Sequence, residues 1–225
     1  MKHFLMASLF INILLIVYIL MSWTASKTDN EQWKAEECLK GWTNSLCSLR
    51  DTVEIVFYGN SITCGGAFEK SFPDKRICNL GYPSDDLKGM RVRISQVMAL
   101  HPTKVFVMGG INGLANIELI NFENEYDSLV KSMKDSLPKS NIYLQSILPV
   151  NKAIQNFNVP SKEKIIGANR IIEKISKKYK CKYIDLYSVY ANRDVLPQEY
   201  SNDGIHLLPH AYNVWFYAIK KYVYE

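Results

Sequence analysis

The sequence predicts a three-layer α/β/α domain built on a parallel β-sheet, preceded by an apolar N-terminal segment. Three observations carry this expectation. After residue 50, short apolar runs alternate with helix-length amphipathic stretches, which is the pattern of parallel strands joined by crossover helices. The runs "EIVFY" and "KVFVM" lack polar alternation, as strands covered on both faces do. Finally, 225 residues with 48% hydrophobic and 22% charged content suit one globular domain with a sizeable core and exclude a disordered or fibrous chain.

Taken in chain order, Phe4 to Trp23 comes first, twenty residues without a charge. At about 1.5 Å rise per residue, a helix of that length crosses a hydrocarbon core of roughly 30 Å. A signal peptide has a shorter apolar core, of about 7 to 15 residues, and small residues at its cleavage site. Here Trp23 spoils Trp23-Thr24-Ala25 as a site, so residues 1–25 read as an uncleaved membrane anchor, with a cleaved signal as the alternative. Lys2 precedes the segment and no basic cluster closely follows it, which leaves the N-terminus in the cytoplasm and the remaining domain outside, periplasmic or extracellular. Residues 26–50 read as a polar linker followed by a helix with Ala35, Leu39, Trp42 and Leu46 near one face.

Residues 51–225 carry five expected strands: Val53 to Tyr58, Arg76 to Leu80, Lys104 to Met108, Asn141 to Ser146 and Lys182 to Leu186. Helical patterns lie between and after them at Ser84 to Leu100, Phe122 to Leu137, Ser161 to Tyr179 and Pro209 to Tyr224. The irregular stretch from Leu148 to Pro160 is long enough to border a site.

Charge and cysteine content narrow the chemistry. The net charge is +5, yet Ser161 to Lys182 alone holds eight Lys or Arg against two Glu. Ile165, Ala168, Ile172, Ile175 and Tyr179 fall at helical spacing between those charges, so the run reads as the solvated face of an amphipathic helix, with an anionic membrane or polymer as the other reading. No nucleic-acid partner is expected. Five cysteines, Cys38, Cys47, Cys64, Cys78 and Cys181, allow at most two disulfides and show no zinc spacing, and Cys38 with Cys47 is the pair to test.

On a parallel sheet, ligands bind at the carboxyl ends of the strands. That rule brings together Gly59-Asn60-Ser61, Asn79-Leu80-Gly81, Gly109 to Asn112, and Asn202 to His206. Ester hydrolysis needs a nucleophile, a base, a group that orients the base, and donors for the oxyanion. Ser61 is the candidate nucleophile, and a helix-capping serine is the alternative for the same triplet. In Asp203-Gly204-Ile205-His206, the glycine lets the chain reverse so that Asp203 can reach His206 and leave its other nitrogen for Ser61. A plain Asp-Gly turn beside a surface histidine is the alternative there. The Ser61 and Gly81 backbone N–H groups and the Asn112 side-chain amide are candidate oxyanion donors. Cys64 lies three residues past Ser61 and is expected to face the helix interior.

In the order Ser61, Gly81, Asn112, Asp203, His206, these residues resemble the SGNH hydrolase superfamily, the GDSL-like lipases and acylhydrolases. "VFYGNSIT", "ICNLGYPSDDLKGMRVRI", "VFVMGGINGL" and "SNDGIHLLPHAYNVW" look like its four blocks, over about Thr52 to Tyr224. The resemblance implies a flavodoxin-like three-layer fold and a serine esterase with a Ser-His-Asp triad, free of metal and of any cofactor. The branch it most resembles contains platelet-activating-factor acetylhydrolase and carbohydrate acetylesterases, which implies an acylated small molecule or glycan as substrate. Asn60 stands where the family often has Asp, Gly113 where Asp usually follows the asparagine, and Ala211 where Gly is frequent. An O-acyltransferase that passes the same acyl group to a sugar hydroxyl stays open beside the esterase, and so does a catalytically silent glycan-binding domain, since Gly113 leaves room for Asn112 to move and fourteen Tyr and four Trp could stack on sugars. Asn169 and Trp215 read as structural.

Overall fold

The computed structural model describes residues 53–154 and 158–225, all within Cys38–Glu225, the second of the two units into which the chain divides. The expected anchor, the linker helix and the Cys38–Cys47 pair lie outside the described residues. Among the described residues, no helix is long and apolar enough to cross a membrane.

Five parallel strands form one sheet in the order β2-β1-β3-β4-β5, with β1 at Ile55–Gly59, β2 at Ile77–Gly81, β3 at Lys104–Met108, β4 at Asn141–Gln145 and β5 at Lys182–Ile184. All five expected strands are present, each within a few residues of its expected ends. Every residue of β1 and β3 is buried, as the unbroken apolar runs require. The chain steps from β1 to β2 on one side and then returns to β3 on the other. This reversal opens a crevice at the carboxyl ends of β1 and β3.

The helices are α1 (Ser61–Cys64), α2 (Phe68–Ser71), α3 (Leu87–Val92), α4 (Ile94–Ala99), α5 (Leu119–Ser136), α6 (Lys162–Lys178), α7 (Tyr187–Tyr190) and α8 (Tyr212–Tyr224). Helix α5 packs against both α3 and α6. On the opposite face, the strand register aligns Phe57, Phe106 and Tyr143 across β1, β3 and β4, with ring centroids 4.9 and 4.4 Å apart. Phe68 of α2 stacks on Phe57 at 3.7 Å, and Trp215 and Phe216 of α8 meet Phe68 edge-on. Aromatic rings in these geometries add to the burial of their large apolar areas.

The helix expected over Ser84 to Leu100 is two helices, broken at Arg93, which is the C-cap of α3 and the N-cap of α4. The basic stretch forms α6, with its apolar face buried and most of its charges paired. Lys162 meets Asp194, Lys174 meets Glu123, Lys177 meets Glu173 and Lys178 meets Asp127. Two of these partners, Glu123 and Asp127, come from α5, one lies on α6 itself and one in a loop, in keeping with a solvated amphipathic face.

Asn169 is structural, as expected. It is buried, and its amide accepts from the Ile147 N–H at 2.8 Å and donates to the Ile147 carbonyl at 2.9 Å. Asn169→Ala leaves both backbone groups unpaired in the interior, so an unfolding free-energy loss of about 2–4 kcal/mol is expected in urea titration. A loss below about 1 kcal/mol would mean that water replaces the amide.

Candidate active site

Ser61 is the first residue of α1, immediately past the end of β1. Asn60 caps this helix, its Oδ1 accepting from the Ile62 N–H at 3.0 Å, so the residue that departs from the family pattern keeps the turn. The helix start projects Ser61 over the sheet edge. Its Oγ lies 2.9 Å from His206 Nε2.

Asp203 and His206 come from one turn after the 3₁₀ segment Gln198–Tyr200. His206 Nδ1 lies 2.8 Å from Asp203 Oδ2. The other carboxylate oxygen accepts from the His206 N–H at 2.8 Å, the Ile205 N–H at 3.1 Å and the Ser201 hydroxyl at 3.2 Å. Gly204 supplies the left-handed residue of the reversal, at φ +76°. With Nδ1–H held by the carboxylate, Nε2 is the basic nitrogen and faces the serine. The structure therefore brings Ser61, His206 and Asp203 into one hydrogen-bonded line.

The expected oxyanion donors divide. Asn112 follows β3, and its Nδ2 donates to the Asp85 carbonyl at 2.8 Å. A side-chain amide has two N–H bonds, so this contact anchors Asn112 through one of them. Gly113 sits at φ +82°, where a side chain strains the backbone whatever the space around it. Its lack of a side chain thus serves the backbone, while Asn112 is held from Asp85.

Gly81 corrects the expectation. Its N–H donates to Asn79 Oδ1 at 2.9 Å, and a Cβ there would meet the Cys64 backbone N at 2.2 Å. The residue is a contact point between β2 and α1, with its N–H engaged by a neighbouring side chain. Asn79 fastens the same junction, its Nδ2 donating to the Thr63 and Gly66 carbonyls, both at 2.9 Å. Cys64 is buried and disulfide-bonded, which removes it as a rival nucleophile.

Residues with no sequence signal support this edge. Asn151, in the irregular stretch after β4, donates its N–H to the Gly204 carbonyl at 2.8 Å and its amide to the Leu196 carbonyl at 3.0 Å. Arg93 and Asp85 form a 2.6 Å ion pair beneath the ends of β1 and β2. Burial pushes the Asp85 carboxyl up, against the opposing pull of the guanidinium.

Burial likewise raises the Glu69 carboxyl, on α2, although the Asn79 N–H donates to it at 3.2 Å. A raised folded pKa adds stability below the ordinary glutamate range, and that stability is lost as pH rises through the folded value. Glu69→Gln is therefore expected to raise the melting temperature at pH 7 and to change it little at pH 4. A larger gain at pH 4 than at pH 7 would reverse the sign.

The model of the GDSL-like Lipase/Acylhydrolase family matches residues 57–214, a span that encloses Ser61, Asn112, Asp203 and His206. No curated protein matches. Among solved structures, a Streptococcus pneumonia protein provisionally described as a platelet activating factor is similar at 22% identity and TM-score 0.70, over 93% of this chain and 99% of that one. A GDSL-like lipase from Bacteroides thetaiotaomicron is 22% identical with TM-score 0.65, over 76% of this chain and 87% of that one. A Geobacillus acetyl-xylooligosaccharide esterase is 18% identical with TM-score 0.62, over 76% of this chain and 94% of that one. These structures share the fold, and the family match covers most of the chain with the hydrogen-bonded serine and histidine inside it: the protein belongs to the GDSL-like lipase/acylhydrolase family, of the SGNH type, and is a carboxylic ester hydrolase.

Proposed function

We propose that the protein removes small O-acyl groups, O-acetyl above all, from a glycan or cell-envelope polymer through an acyl-Ser61 intermediate. The observation that carries this reading is the continuous line from Ser61 Oγ through His206 to Asp203, with separations of 2.9 and 2.8 Å. Ser61 Oγ attacks the ester carbonyl carbon while its proton passes to His206 Nε2. The tetrahedral oxyanion receives hydrogen bonds from the Ser61 N–H and the second Asn112 N–H. Its collapse breaks the bond to the alcohol oxygen, which leaves with the proton from His206. Water then attacks the acyl carbon with His206 again as base, and collapse releases the carboxylic acid and free Ser61.

The acetyl preference draws on the acetyl-xylooligosaccharide esterase among the structural neighbours. The same reading takes residues 1–25 as an anchor, residues 26–50 as a linker and residues 51–225 as the hydrolase domain outside the cytoplasm. Its support is the charge-free run from Phe4 to Trp23, together with the disulfide at Cys64, since disulfides persist in oxidising compartments.

Hydrolysis of p-nitrophenyl acetate against the octanoate ester, by the full chain in detergent, tests the reaction and the acyl preference together. Preferential cleavage of acetate is expected. Octanoate preference would move the substrate class to lipids, and faster acyl transfer to added glycan than to water would make the protein a transferase. Labelling of Lys residues by a membrane-impermeant reagent in intact cells tests the location, and protection of the domain would place it inside.

A further inference from the structure

Arg93 sits in the break between α3 and α4, its side chain only 11% exposed, with no role so far in the reaction. Its guanidinium reaches three acceptors. Nε donates to Asp85 Oδ2 at 2.6 Å, Nη1 to the Leu80 carbonyl at 3.0 Å and Nη2 to the Gly59 carbonyl at 2.8 Å. The rings of Tyr58 and Tyr82 flank it, 4.3 and 4.5 Å from its central carbon.

These acceptors belong to separate parts of the catalytic edge. Gly59 ends β1 and stands two residues before Ser61. Leu80 lies at the end of β2. Asp85 closes a turn through its N–H to the Tyr82 carbonyl at 3.2 Å, with Ser84 at φ 62°, and its own carbonyl holds the Asn112 amide. The path Ser61 turn, Gly59, Arg93, Asp85, Asn112 is thus continuous in hydrogen bonds and covalent bonds.

We propose that Arg93 is a positioning residue that holds the turn bearing Ser61 and the amide of Asn112 at one fixed separation. The inference rests on the esterase reading above. A planar fork with several donors in fixed directions can set the relative position of three acceptors, and a lysine ammonium on a flexible stem cannot. A buried ion pair brings little net stability because both charges lose their hydration, so geometry is the stronger reason for this one. A displacement of about 1 Å at a reacting centre costs roughly 10²-fold in rate.

The test compares wild type, Arg93→Lys, Asn112→Ala and the double variant as full chains in detergent with p-nitrophenyl acetate. Folded active sites are counted by reaction of Ser61 with a fluorophosphonate. Arg93→Lys is expected to lower kcat per folded site about 10²-fold, with KM within about threefold of wild type. The double variant is expected to fall no more than about threefold below Asn112→Ala, because both changes remove the same stabilisation. Wild-type kcat in Arg93→Lys, or losses that multiply in the double variant, would overturn the proposal. Should Arg93→Lys fail to fold, Asp85→Asn keeps an acceptor oxygen and the backbone carbonyl while removing the charge. It is expected to lower kcat about tenfold, and unchanged kcat would overturn the proposal equally. An inactive wild type removes the esterase reading and this inference together, whereas an active wild type with an unaffected Arg93→Lys removes the inference alone.

Discussion

Ser61→Ala is expected to lower kcat/KM on p-nitrophenyl acetate by about 10⁴-fold or more, with the melting temperature within a few degrees of wild type. The Ser61 hydroxyl has His206 Nε2 as its hydrogen-bond partner, so alanine removes the nucleophile and leaves one imidazole nitrogen to water. His206→Ala is expected to cost as much, because the serine is a weak nucleophile without a base. The two changes act on a single step, so the double variant falls no further than either single one. Asp203→Asn is expected to cost about 10⁴-fold in kcat, since an amide facing Nδ1 favours the wrong tautomer. Full turnover by any of these proteins would remove the acyl-Ser61 mechanism.

Trp215→Ala carries the largest expected loss of stability. The residue is fully buried, touches Phe68 and Tyr212, and donates its indole N–H to Gln145 Oε1 at 2.7 Å. Removing a buried tryptophan costs about 3–5 kcal/mol through the lost transfer energy and the cavity left behind. At roughly 2–4 °C per kcal/mol for a chain of this size, the melting temperature falls by roughly 6–20 °C. The loss is enlarged because Gln145 Nε2 has no protein partner among the described residues, so the variant leaves both ends of that buried amide unpaired. Trp215→Phe keeps most of the ring contacts and loses the N–H, so about half the effect is expected. Thermal unfolding by circular dichroism measures both, and a shift below about 2 °C in the alanine variant would show that α8 repacks around the gap.

The strands were the most legible part of the chain because a central parallel strand writes its burial into consecutive residues. Val105, Phe106 and Val107 carry that signal without help from other segments. The hydrogen-bonded line was legible for a related reason: Ser61 starts the helix that follows a buried strand, and Asp203 and His206 share a turn whose local spacing determines their contact. Gly81 was misread because its N–H is claimed by the Asn79 side chain two residues earlier, a choice made by the packing of β2 on α1. The break at Arg93 was invisible because "LKGMRVRISQVMAL" continues a helical pattern through it. What interrupts the helix is a side chain drawn toward Gly59, thirty-four residues away in sequence. Asn151 carries no motif at all, and its contact with Gly204 arises only when the β4 end and the last turn meet.

That contact has a consequence for redesign. The stretch from Leu148 to Pro160 is the natural place to graft a new specificity, because Asn151 meets the turn that bears Asp203 and His206, and the described residues 148–154 and 158–160 form no helix or strand. Yet the Asn151 N–H holds the carbonyl of the glycine on which the Asp203–His206 turn reverses. The Asn151 side chain fixes that N–H by donating to the Leu196 carbonyl and accepting from the Ala153 N–H, so a library that varies Asn151 would loosen the turn and return weak catalysts whatever their pockets. Diversity confined to residues 152–159, with Asn151 kept as a fixed hinge pin, would let substrate choice drift while the turnover machinery stays in register.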